Sequence, residues 1–210
     1  MLIGMGALLA VPVGILCGVC LSEFPRTRLA SAARFSADVL TGVPSIVIGI
    51  FAYGLVVLPV HRFSALAGSA ALAVMMVPIV ARTTEELLLL VPSSLREGAL
   101  ALGATRARAV FTVILPAALP GVLTGVLVAL ARIAGETAPL LFTSFNNQFW
   151  STDPRQPIAS LTVQIYTYAI SPYDDWHRQA WAGAFVLVAT VLLFSVLARA
   201  ATRRLEGMHR

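Results

Sequence analysis

Residues 1–21 contain no charged side chain, and four further charge-free apolar stretches follow at 39–60, 65–81, 114–131 and 180–198. Each comes close to the roughly 18–20 residues a helix needs to cross the hydrocarbon of a bilayer. Backbone polar groups in hydrocarbon must be satisfied internally, and these runs do so as helices. Composition agrees, with 58% hydrophobic and only 12% charged residues. The first run has no basic segment ahead of it and four more apolar runs behind it, so it reads as a helix and not as a cleaved leader. The expected fold is all-α: a polytopic integral membrane protein with about five spanning helices.

Orientation follows from the arginines, which are the chain's basic residues apart from histidine. Arg26, Arg28 and Arg34 follow the first run; Arg82, Arg96, Arg106 and Arg108 follow the third; Arg199, Arg203, Arg204 and Arg210 fill the tail. The other two connections hold only Arg62, Arg155 and Arg178. Positive residues mark the cytoplasmic side, which puts the N-terminus outside and the C-terminus inside. A sequence pI near 10.0 therefore needs no nucleic acid to explain it. Cys17 and Cys20 both fall in the first apolar run, with no neighbouring ligand type to complete a metal site, and read as buried structural residues.

Two charges break the pattern. Arg132 and Glu136 lie within the stretch 114–145, where a charge at the centre of a spanning helix costs roughly 2.5–3.5 kcal/mol on the gentlest scales. Their i, i+4 spacing puts them on one helix face within pairing reach. They are either a structural ion pair that locks this helix against a neighbour or a site for a charged solute. The same helix carries Ala117-x-x-x-Gly121-x-x-x-Gly125, a small-residue stripe that favours close helix packing.

The connection after the third run reads EELLLLVPSSLREGALALGATRARAVFTVILP. Pro92-Ser93-Ser94 is a helix start, and Gly103 divides two amphipathic pieces too short to span. In the first piece Leu95, Ala99 and Leu102 share a face, while Arg96 and Glu97 point elsewhere. Such a helix-turn-helix suits either a soluble partner's groove or the solvated membrane interface.

The residues in this connection carry a resemblance. Glu97, Gly98, Ala99, Gly103, Val113, Leu115 and Pro116 are similar to the EAA loop of bacterial ABC importer permeases: Glu-Ala-Ala, three residues, Gly, nine residues, Ile, one residue, Leu-Pro. Gly98 and Val113 depart from that pattern in residue type while keeping size or shape. The resemblance implies that Glu97, Gly98, Ala99, Gly103 and Ala104 dock into a cleft of an ATP-hydrolysing subunit. Gly103 tolerates the positive φ of a sharp turn, and Glu97 lies favourably near the start of its helix dipole.

Residues 42–54 (GVPSIVIGIFAYG) and 131–143 (ARIAGETAPLLFT) resemble the permeases of the phosphate-specific importer, the second most closely those of the PstA type. The likeness runs from about residue 11 to 204. That family has six spanning helices, so its first helix is expected to be missing from this chain. The resemblance implies one permease domain over residues 1–210, with 92–112 as its cytoplasmic coupling segment, in the bacterial plasma (inner) membrane. It also implies a homologous PstC-type permease, two PstB-type ATPase subunits that carry the ATP and Mg, and an external PstS-type phosphate-binding protein. No cofactor is expected in this chain itself.

A phosphate path needs fixed donors or positive charge, and the guanidinium fork matches two phosphate oxygens. Arg132 is the obvious candidate, with Glu136 tempering its charge so that the anion is released. Thr41 and Ser45 flank Pro44 at the entrance to the second apolar run. They are either phosphate donors exposed by a helix break or ordinary caps. Pro78 and Pro139 are candidate hinges or gates.

The outer segment 146–179 carries Trp150, Tyr166, Tyr168, Tyr173 and Trp176, as an interfacial aromatic belt does. Within it, residues 158–170 are apolar enough for a helix on the surface or packed on the core. Asp153, Arg155, Asp174 and Asp175 are either docking contacts for the binding protein or solvated loop residues. There is no P-loop, and His61, His177 and His209 form no zinc pattern. The chain is expected to be a transport subunit and not an enzyme. An intramembrane hydrolase would rest on Glu136 alone, and a permease for sulfate or molybdate is the closer alternative.

Overall fold

The computed structural model describes residues 1–207, with side-chain surroundings described through Val196; His209 and Arg210 lie outside it. Among the described residues the chain is helical with no strand: α1 (Leu2–Glu23), α2 (Arg28–Gly42), α3 (Ser45–Val60), α4 (Ala65–Leu89), α5 (Ser93–Ala101), α6 (Arg106–Ala134), α7 (Ala138–Thr143), α8 (Leu161–Ala169) and α9 (Asp174–Gly207). Helices α1, α4, α6 and α9 are each long and apolar enough to cross a membrane, and the bent pair α2–α3 brings the number to five if it counts as one span.

The core is the seam between α1 and α4. Leu2, Gly6, Ala10, Gly14, Gly18 and Ser22 recur every fourth residue and are all buried, a ridge of the i±4 kind that fits a groove on the facing helix. The backbones nearly touch. A Cβ on Gly18 would sit 2.6 Å from the carbonyl oxygen of Ala81, and one on Gly14 would sit 2.7 Å from Val80 Cβ. Ser69 donates its hydroxyl to the carbonyl of Leu2 at 3.1 Å across the same seam. Around it, α4 packs on α6, α2, α7 and α3, while α6 packs on α9. The expected small-residue stripe of α6 is in use: Gly121 faces Leu87 and Gly125 faces Thr83 of α4.

Three apolar stretches end differently from their hydropathy. The run 39–60 is not one straight span, because α2 and α3 meet at 107°. Pro44 disfavours the helical region for the residue before it, and Val43 is extended at φ −70° and ψ 133°. Thr41 accordingly lies in the last turn of α2 and not at the entrance to a span. The third run continues past residue 81 to Leu89, which moves Arg82 and Glu85 out of the cytoplasmic connection and into a packed helix. The fourth begins as a helix at Arg106 and stops at Ala134, with Gly135 at its C-cap. Pro139 therefore does not end or bend that helix; it sits in the first turn of the separate α7.

The outer segment is anchored. Its carbonyls at Gln156 and Pro154 accept the N–H groups of Ala65 and Leu66, and Thr143 accepts that of Ser64, each at 3.0 Å. Those donors open α4 and have no partner within the helix. Ser144 donates to Ile158 at 2.9 Å and Asn147 to Pro157 at 2.9 Å. The helix expected over 158–170 forms as α8, starting at Leu161, and packs on the core through Thr162 and Val163.

Candidate functional site

A polar pocket of about 530 Å³ opens where α2, α4 and α6 meet. Helix periodicity builds its walls: Asp38, Thr41 and Gly42 occupy one face of α2, and Pro78, Arg82 and Glu86, spaced by fours, occupy one face of α4 with Ile79 and Thr83 beside them. Arg132, in the last turn of α6, completes the pocket. Two cationic and two anionic side chains thus line it. A larger cavity of about 760 Å³ between the start of α1, α6, α9 and Trp150 is mostly apolar and, among the described residues, has no charged side chain in its lining.

The charges in the pocket differ in how they are held. Arg82 is gripped by two carboxylates, with Nε 3.1 Å from Asp38 Oδ1 and Nη1 2.8 Å from Glu85 Oε2. Arg132 is exposed, and among the described residues it makes neither an ion pair nor a side-chain hydrogen bond. It is the pocket's uncommitted guanidinium, and such a group is suited to a two-oxygen grip on an oxyanion.

The expected Arg132–Glu136 relation is not formed. Helix α6 ends between them, so the i, i+4 geometry that would stack them is lost at Gly135. Glu136 is not part of the pocket lining, and its backbone carbonyl accepts the hydroxyl of Thr162 at 3.0 Å. Thr41 does reach the pocket wall, but its hydroxyl donates to the carbonyl of Ala37 at 2.8 Å and does not cap a helix. Ser45 lies across the bend at the first position of α3, outside the pocket lining. Of the two proline candidates, Pro78 is buried in α4 at the pocket wall, and Pro139 is buried where α3 crosses α7. A Cβ on Gly49 there would stand 2.8 Å from Pro139 Cα.

Asp38, Arg82, Glu85 and Glu86 were not legible as site residues, because their spacing reads as the charged flank of a loop. The available signal was the fourfold spacing of Pro78, Arg82 and Glu86, which continues the face of the apolar run into the charged stretch.

The second site is α5 with its following turn. Ser93 starts the helix after Pro92, and none of its residues is buried. Gly103 adopts φ +82°, which makes the sharp turn, and Thr105 accepts the N–H of Arg108 to start α6. Leu95 is 44% and Leu102 is 90% exposed, an apolar edge facing away from the helix bundle. Arg96 points the other way and pairs with Glu23 at the end of α1, 2.5 Å apart, tying α5 to the bundle. Glu97 and Gly98 are exposed, Ala99 and Ala104 half-buried. Just beyond, Val110–Ile114 forms a wide π-helical turn, a local irregularity in the joint between α5 and the span.

Residues 10–207 match the family described as "Binding-protein-dependent transport system inner membrane component". A phosphate transport system permease protein PstA of Yersinia pestis is 50% identical over 200 residues, which are 95% of this chain and 68% of that protein. One from Haemophilus influenzae is 48% identical, covering 94% of this chain and 71% of its own length. A probable PstA of Methanocaldococcus jannaschii is 39% identical over 97% of this chain and 73% of its own. Among solved structures, an inward-facing MetNI methionine ABC transporter superposes with a TM-score of 0.73 at 23% identity, covering 97% of this chain and 88% of that one. That likeness concerns the fold.

Proposed function

Because this chain belongs to the family of binding-protein-dependent transport system inner membrane components, we propose that it is the PstA-type permease subunit of an ATP-driven phosphate importer, forming half of the path by which inorganic phosphate crosses the membrane. The observation that carries this reading is the 50% identity to the Yersinia pestis protein across 95% of the chain. It is a membrane transport subunit and not an enzyme, and it works with an ATPase and a binding protein.

The finer assignments are ours. The membrane is the bacterial inner membrane, with the chain's N-terminus outside and its C-terminus in the cytoplasm. The partners are a PstC-type permease, two PstB-type ATPase subunits and a PstS-type binding protein on the side of the outer segment. Arg132 grips phosphate through two of its nitrogens, in a pocket whose carboxylates keep the net field small, so the anion enters and leaves without being trapped. Glu136 acts at the mouth of the path and not as a partner of Arg132. Thr41 lends its hydroxyl once its bond to Ala37 opens, and Ser45 follows it across the bend. Pro78, whose ring removes a backbone hydrogen bond beside the pocket, and Pro139 are the hinges. Glu97, Gly98, Ala99, Gly103 and Ala104 form the surface that the ATPase pulls on, with residues 92–112 as the coupling segment.

The test is ATP-dependent uptake of labelled phosphate into vesicles that contain this chain and its partners, challenged with excess unlabelled sulfate. Uptake that resists sulfate supports phosphate as the substrate. Uptake displaced by sulfate leaves the importer class standing and removes the phosphate assignment.

A further inference from the structure

Glu85 sits on α4 beside the pocket without lining it, and it is only 2% exposed. Its two oxygens are divided between two arginines: Oε1 accepts from Arg34 Nε at 2.6 Å and Oε2 from Arg82 Nη1 at 2.8 Å. Arg34 is committed to structure. Its Nη2 donates to the carbonyl of Leu21 at 2.8 Å and its Nη1 to that of Pro25 at 3.0 Å, which staples the α1–α2 turn. A single carboxylate therefore serves both arginines, holding Arg34 through Oε1 and Arg82 through Oε2.

That contact fixes more than charge. Glu85 accepts a hydrogen bond from Arg82 Nη1 while Asp38 stands 3.1 Å from Nε as an ion pair, and Nη2 is left, among the described residues, without an ion-pair or hydrogen-bond partner at the pocket wall. A buried carboxylate pays a desolvation penalty of several kcal/mol unless its partners are well placed. Here the same group is satisfied by both arginines, so moving either one exposes it.

We propose that Glu85 is a positioning residue for the anion path: it holds Arg82 at the pocket wall with Nη2 free to face an anion. This rests on the pocket being the phosphate path, as argued above. Without Glu85, Arg82 keeps its pairing with Asp38 but loses the bond that holds Nη1, and the two arginines lose the one carboxylate they share, which leaves one uncompensated positive charge beside the pocket to retain the anion.

The test uses the assembled transporter in vesicles and reads phosphate uptake together with the ATP hydrolysis stimulated by loaded binding protein. Glu85→Gln keeps the volume and removes the charge. Uptake per ATP hydrolysed should fall about tenfold, corresponding to roughly 1.4 kcal/mol of coupling. Adding Arg82→Gln to Glu85→Gln should cause no further fall, whereas adding Arg34→Gln should. Arg82→Gln alone, at a partly exposed side chain, should show the same loss of uptake per ATP and covers the case in which Glu85→Gln assembles poorly. An unchanged ratio in Glu85→Gln and Arg82→Gln, or uptake and hydrolysis falling together in proportion to lost complex, overturns the proposal and makes Glu85 purely structural. Wild-type vesicles that hydrolyse ATP but take up no phosphate remove the phosphate reading itself, and this inference with it.

Discussion

Helix α4 presents two unlike faces. Toward α1 it is dry, and small residues let the backbones close to contact at Gly6, Gly14 and Gly18. Toward α2 and α6 it carries Arg82 and Glu86 into a polar pocket. The first face tolerates no added atom, and the second holds charges at membrane cost. One rigid helix therefore serves as the frame for its own chemistry: the tight seam fixes where Arg82 stands, and the pocket uses that position.

The largest effect should come from forcing the seam apart. Gly18→Leu drives a side chain into the Ala81 carbonyl and Thr84, and backbone cannot yield as a side chain tip does, so a loss of about 3 kcal/mol or more is expected. Gly4→Leu is the control on the same helix, since a Cβ there meets nothing within 4 Å among the described residues. Thermal melting of the detergent-solubilised protein should show a large drop for the first and almost none for the second. Equal drops would mean that α1 does not pack as described.

Next is the pocket. Arg132→Ala should abolish most phosphate uptake, by about tenfold or more for a lost charge-assisted grip of roughly 1.5–3 kcal/mol. Complex formation should be unchanged, because Arg132 carries no ion pair within the described chain. Loss of assembly in proportion to uptake would turn Arg132 into a packing residue.

Smaller is the tie between coupling helix and bundle. Arg96→Ala removes the bond to Glu23. The Arg96 side chain is 34% exposed, so the pair is screened and worth about 1 kcal/mol at most. Uptake should fall about two- to fivefold, with ATP hydrolysis less dependent on loaded binding protein. Smallest is Thr84→Val on the dry face. Thr84 Oγ1 is buried and, among the described residues, has no hydrogen-bond partner, so replacing the hydroxyl by a methyl should be neutral or slightly stabilising. A clear loss of stability would reveal a partner for that hydroxyl.

The dry and the charged faces were not equally legible in the sequence. Spans and their approximate number follow from uninterrupted apolar runs, the turn at Gly103 from its permissive backbone, and the α6 stripe from small residues at fourfold spacing. The α1 ridge of Gly6, Ala10, Gly14 and Gly18 has that same spacing and was readable by the same rule. The pocket was not. Hydropathy ends a span at its first charges, so Arg82 and Glu85 read as loop, although pairing with Arg34, 51 residues away, is what makes the buried position tolerable. Such a partner is a long-range fact that no local window contains. The break at Gly135 misled in the opposite direction: Arg132 and Glu136 have helical spacing, but the helix stops between them.

The pocket is tested most directly by chemistry at its wall. Thr41→Cys, with Cys17 and Cys20 replaced by alanine, places a single thiol beside Arg82 and Arg132 in a transporter that is turning over. A small anionic thiol reagent should react there, and phosphate should slow the reaction where equal sulfate does not. Labelling at the same rate with and without phosphate would contradict a phosphate path through this pocket.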